Sequence, residues 1–151
     1  MKRKSITLVE LLVSMGIIAS ILAISMTSMN TIDRRQLESE ARMLVADLSW
    51  TKESAISQHE HRGINFDATN KRYSIYRSPN GAAADFVQTN LLKRVALKSS
   101  LTLANANLWI YAPKGTTYNG GGGDFTVTLS LTGGRTRTVT VFKDTGFVKA
   151  D

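Results

Sequence analysis

The chain has 151 residues and no cysteine, which leaves room for one domain with a short appendage and excludes a disulfide framework and a thiolate nucleophile. Its formal net charge is +7. Lys2, Arg3 and Lys4 stand together at the start, and residues 30–151 hold 16 basic against 11 acidic side chains. That surplus permits attraction to nucleic acid or anionic lipid and by itself designates neither.

From Ile6 to Met29 the sequence is apolar for 24 residues, with Glu10 as the sole ionisable side chain. About 20 such residues span a bilayer as a helix. The basic triplet before the run and Asp33, Arg34 and Arg35 after it bracket the span. The positive-inside bias then places residues 1–5 in the cytoplasm and the chain beyond Asn30 outside it. A cleaved secretory signal would have an apolar stretch of about 7 to 15 residues ending in an Ala-x-Ala-like site, and this run is longer. A carboxylate within hydrocarbon costs about 2.5–3.5 kcal/mol on insertion scales, so Glu10 asks for a partner.

Beyond Asn30 the apolar residues thin into a stripe, Leu37, Ala41, Leu44, Leu48, Ala55 and Ile56. Arg34, Arg35, Glu38, Glu40, Arg42 and Glu53 fill the rest of the helix surface. These spacings predict an amphipathic helix. No Pro or Gly interrupts residues 17–62, so the apolar helix is expected to continue to about His61 and Arg62, with Gly63 as its stop.

The period then changes to two. Strands are predicted at Ile64–Asp67, Arg72–Arg77, Phe86–Leu97, Leu108–Ala112, Asp124–Leu131, Thr136–Phe142 and Phe147–Ala150, separated by Gly-, Asn- and Pro-containing turns. In the clearest alternation Phe125, Val127, Leu129 and Leu131 face inward and Thr126, Thr128 and Ser130 outward, as in an antiparallel sheet with one wet face. A helix laid on such a sheet makes an α+β two-layer core.

The basic start followed by Ser5 and then Ile6-Thr7-Leu8-Val9-Glu10-Leu11-Leu12 resembles the type IV pilin and pseudopilin signature. Ser5 occupies the place of that family's Gly, and Ile6 that of its Phe. The resemblance implies cleavage between Ser5 and Ile6 by a prepilin peptidase and N-methylation of Ile6. It also implies that Glu10 pairs with the terminal amine of a neighbouring subunit during assembly, which makes two charges that are costly in lipid tolerable. Its domain plan is a leader at 1–5, a membrane and assembly helix at 6–29, an amphipathic half at 30–62 and a β-rich periplasmic domain at 63–151. The partners it implies are other pilins or pseudopilins, the peptidase and the inner membrane, with no cofactor.

In the C-terminal half, Trp109-Ile110-Tyr111-Ala112-Pro113-Lys114-Gly115-Thr116, the run Gly120–Gly123, a Val/Leu strand and the closing Thr145-Gly146-Phe147-Val148 are similar to the GspH/FimT branch of minor pseudopilins and minor pilins. This branch implies a subunit of a type II secretion pseudopilus. The alternative is a FimT-like minor pilin that binds DNA, for which Arg135, Arg137, Lys143 and Lys149 would be the phosphate contacts. Gly134-Arg135-Thr136-Arg137 also reads as an ordinary hairpin exit with surface arginines. A simple membrane tether is a third reading.

For enzyme chemistry the residues offer little. His59 and His61 point to different faces of a helix, so a shared metal is not expected. No Gly-x-Ser-x-Gly or phosphate loop occurs.

Overall fold

The computed structural model describes residues 7–104, 107–118, 123–131 and 134–151, with the side chains of 24–31 outside that description. The chain divides into two compact units, Met1–Arg35 and Gln36–Asp151. Helix α1 runs over Leu8–Gln58. It starts at Thr7, whose hydroxyl accepts a hydrogen bond from the Glu10 N–H at 3.3 Å, the N-cap bond that satisfies one orphan donor of the first turn.

The helix stops at Gln58, short of the expected end near Arg62, and Gly63 is not its terminator. His59 adopts a left-handed φ of 54°, its N–H donates to the Ile56 carbonyl, and the Glu60 N–H reaches back to Ala55 at 3.2 Å. These two bonds form a Schellman cap. Gly63 instead lies in the first strand, where a Cβ would come within 2.1 Å of the Phe86 ring. The glycine leaves room for the tip of the Phe86 ring.

Among the described residues nine strands make two antiparallel sheets. The first has the order β3-β2-β1-β5-β6, with β1 at His61–Asp67, β2 at Arg72–Ser78, β3 at Leu91–Ala96, β5 at Leu108–Tyr111 and β6 at Thr117–Tyr118. The second has the order β4-β7-β8-β9, with β4 at Ser100–Ala104, β7 at Phe125–Leu131, β8 at Arg135–Val141 and β9 at Val148–Ala150. The expected helix on antiparallel sheet is therefore present, with the sheet divided in two.

Strands β4 and β6 were not expected from the sequence. The segment predicted as one strand over Phe86–Leu97 is a strand only at 91–96, after two 3-10 turns at Ala83–Asp85 and Gln88–Asn90. Asp85 organises the first of these turns. Its carboxylate accepts from the Ser78 hydroxyl and the Asn80 N–H, both at 2.8 Å. Those bonds, led by the Asn80 N–H, hold its carboxyl below the usual carboxylate range.

Within the second unit, α1 presents Leu37, Ala41, Leu44, Leu48 and Ala55 to both sheets, all buried, whereas Ile56 is half-buried. Facing them are Ile64, Phe66, Tyr73 and Ile75 from the first sheet and Phe125, Val127, Leu129, Val139 and Val141 from the second. An aromatic seam joins the sheets, with Phe125 stacked on Trp109 at 5.1 Å and tilted against Phe66 at 5.2 Å. Each fully buried large apolar side chain stabilises the fold by roughly 1.5–3 kcal/mol.

Two carboxylates of the helix lie in this interface, and one of them corrects the sequence reading. Glu40, expected on the wet side of α1, is buried. It accepts from the N–H groups of Lys98 and Ser99 at 3.0 and 3.1 Å and from the Ser99 hydroxyl at 2.5 Å. It thereby pins the crossing from β3 to β4, where the chain changes sheet. Asp47 accepts from the Tyr73 hydroxyl at 2.6 Å and from Lys93 at 2.6 and 2.8 Å. Burial, and after it this bond to Asp47, pushes the Tyr73 phenol up.

Candidate assembly surface

The first unit is unusual for what its helix leaves uncovered. Leu8, Val9, Leu11, Leu12, Val13, Met15, Ile17, Ile18, Ile21 and Leu22 are all exposed, each by more than half. Their positions run through every angle of the helix, so the unit has no internal face on which to bury them. Monomeric soluble proteins rarely expose a contiguous apolar surface of this kind, which marks contact with a membrane or with other chains.

The polar residues in the stretch are adapted to that setting. The Ser14 hydroxyl donates to the Leu11 carbonyl at 2.9 Å and the Ser20 hydroxyl to the Gly16 carbonyl at 2.8 Å. Both are satisfied within the helix and present little polarity outward. Glu10 is exposed among the leucines and valines. Among the described residues no helix is long and apolar enough to cross a membrane. Within the apolar run the described side chains end at Ala23, and the sequence continues apolar to Met29.

Ser5 and Ile6, the expected cleavage and methylation positions, lie outside the described residues. Sequence reading missed Thr7 as the cap of the helix. The signal was present as Thr7-x-x-Glu10, the pattern of a capping box.

The four basic residues considered for nucleic acid do not form one patch. Arg135 and Arg137 lie on β8 with the parity of Val139 and Val141, the buried face. Lys149 sits opposite Thr140 in the β8–β9 register and so belongs to the other face, since directly paired residues share a side. Arg137 lines a groove with Glu38 and Asp151, and the Lys149 ammonium lies 2.5 Å from the Asp151 carboxylate. Lys143 is half-buried in the closing turn, its N–H donating to Asp124 at 3.0 Å. Acidic groups thus accompany Arg137 and Lys149.

Among the described residues no cluster of three metal-ligating side chains occurs. His59 caps the helix and His61 opens β1, so the two belong to different elements. The glycine run is outside the described residues except for Gly123.

Comparison with known proteins gives the same architecture. The chain superposes on the type IV minor pilin FimU of Pseudomonas aeruginosa with a TM-score of 0.62 at 17% identity, covering 79% of this chain and 90% of that one. It superposes on the minor pseudopilin EpsH of Vibrio cholerae with a TM-score of 0.58 at 16% identity, covering 77% and 96%. At such identities these likenesses speak for the fold. A comparison with curated proteins gave no match. The family described as type II transport protein GspH matches residues 40–145, from the Glu40 latch to the closing hairpin. The chain belongs to this GspH family and is a pilin-like structural subunit.

Proposed function

We propose that the protein is a minor pseudopilin of a type II secretion pseudopilus, assembled through its N-terminal helix. The observation that carries this reading is one exposed carboxylate, Glu10, in the first turn of α1, where the neighbouring large side chains from Leu8 to Leu22 are apolar and exposed. Residues 1–5 are the cytoplasmic leader and 6–29 the single inner-membrane span and assembly helix. The amphipathic continuation runs from residue 30 to the helix end at Gln58, and the chain from strand β1, which opens at His61, forms the periplasmic β-rich part. A prepilin peptidase cuts between Ser5 and Ile6, and Ile6 is methylated. The helix leaves lipid to pack against those of neighbouring subunits, where Glu10 meets the amine of an adjoining Ile6. Pairing offsets the desolvation of both charges. The family's description as a type II transport protein supports the secretion reading, and the likeness to FimU supports a type IV pilus as the alternative.

The test is Glu10→Ala in cells carrying the assembly machinery. Membrane insertion stays, because removing a charge from the span eases it, and recovery of the subunit in sheared or cross-linked filaments is lost. Normal filament incorporation would reduce the helix to a tether. N-terminal sequencing of the membrane-extracted chain reads the cut directly. A chain still beginning at Met1 with the peptidase present would refute the processing step.

A further inference from the structure

A bare strand edge is a template for pairing with another chain, and proteins blunt it with shortness, charge, an inward-pointing charged side chain or a bulge. Three of the four edges among the described residues carry such devices. Strand β6 is two residues long. Strand β9 is three and bears the Lys149–Asp151 ion pair at its end. Strand β3 has a register shift against Ile75/Tyr76, turns Lys93 inward to Asp47 and carries Arg94 on its other side, bonded to Ser74.

The fourth edge, β4, has none of these. Ser100-Leu101-Thr102-Leu103-Ala104 holds no charge, Pro or Gly and pairs with β7 in an unbroken register from Ser100↔Ser130 to Ala104↔Thr126. Among the described residues no strand and no backbone hydrogen bond reaches its far side. Its outward side chains, Ser100, Thr102 and Ala104, are exposed.

We infer that β4 is an acceptor edge for an extended segment of a partner protein, which adds antiparallel as a further strand of the second sheet. Main-chain hydrogen bonds supply the affinity in this mode and alternate side chains the specificity. The segment therefore alternates, its apolar residues in line with Leu101 and Leu103 and its small polar ones in line with Ser100 and Thr102.

Charge selects the partner. An antiparallel strand brings its C-terminal end to the start of β4, where Lys98 is exposed and Lys71 is held next to it by the Leu97 N–H to Lys71 carbonyl bond of 2.7 Å. Neither lysine has an ion-pair partner among the described residues. The segment accordingly carries a carboxylate at that end. A second copy of this chain does not supply one through β4, because residues 91–107 contain no acidic residue. The inference uses none of residues 7–35 and stands without the assembly reading.

The experiment uses the full chain in detergent micelles and a synthetic peptide of β7's sequence, Phe-Thr-Val-Thr-Leu-Ser-Leu, ended by an Asp with a free C-terminus. Amide hydrogen exchange is followed along the chain, and peptide affinity by anisotropy. Addition of peptide should slow exchange in β4. Lys98→Glu should weaken binding about two- to fivefold, the range of an exposed ion pair, as should replacing the terminal Asp by an amide-capped Ala. Unchanged β4 exchange, or protection appearing on β3 or β9 instead, overturns the inference. Concentration-dependent protection of β4 without peptide also overturns it, in favour of self-association.

Discussion

At the scale of single residues, several side chains are set by backbone geometry rather than by chemistry. His59 is the plainest case, a non-glycine residue with φ of 54° closing α1. A left-handed conformation costs an L-residue roughly 1–2 kcal/mol, while Gly brings a larger unfolded-state entropy of about 0.5–1 kcal/mol. His59→Gly should therefore raise stability by up to about 1 kcal/mol, read as a higher denaturant midpoint at unchanged slope. A lowered midpoint would mean that the imidazole contributes a contact worth more than the strain. Thr7 works at the opposite end of the same helix. Its hydroxyl fixes the turn that carries Glu10, so the charge proposed for assembly sits on an ordered backbone.

At the scale of elements, the junction between sheets rests on Glu40. Burial works to raise its carboxyl, but bonds from the Ser99 hydroxyl, the Lys98 and Ser99 N–H groups and Gln36 prevail and lower it. A carboxyl lowered in the fold stabilises the protein above its unfolded value of about 4.3, and that stabilisation is lost as pH falls through the folded value. Glu40→Gln should destabilise the protein at neutral pH and flatten its acid limb below about pH 4.3. An unchanged limb would assign the acid sensitivity elsewhere. No hydrophobic pattern announces such a residue, since Glu40 reads as one more charge on a wet helix face. What the sequence did disclose follows a strong period. The stripe from Leu37 to Ala55 and the alternation over Phe125–Leu131 both carry their burial in their spacing. Strand β4 was illegible because five residues, two of them leucines at spacing two, fall below what periodicity distinguishes from a loop. The 79–90 segment was illegible for another reason. Its order comes from polar bonds that Asp85 makes within its own turn, which carry no hydrophobic period, and from Phe86 resting against Gly63, a contact between residues far apart in sequence.

At the scale of the molecule, the basic surplus raises the question of nucleic acid. A cationic surface binds phosphate non-specifically and gives way steeply with salt. Arg135 and Arg137 are parted from Lys149 by the two faces of the sheet, and acidic groups accompany Arg137 and Lys149. Replacing Arg135 and Arg137 together by Ala should therefore leave duplex DNA retention in a gel shift essentially unaltered. A clear loss would assign the arginines a DNA role and favour the pilus alternative. The exposed apolar helix of the first unit, by contrast, was legible from the start, because an unbroken apolar run is a signal that needs no tertiary context.

The aromatic seam and the Glu40 latch also bear on time. A chain leaves the ribosome N-terminus first, so Leu37, Leu44 and Leu48 emerge long before the strands that cover them. Glu40 meets Ser99 across 59 positions, and Val139 and Val141 arrive later still. Closing a loop of that length costs about 3–4 kcal/mol of chain entropy before any contact repays it. The helix must therefore wait, its apolar stripe at most part-covered by β1 and β2, until almost the whole polypeptide has been made. Anchoring the first unit early would hold that waiting stripe at one place while the rest of the chain arrives.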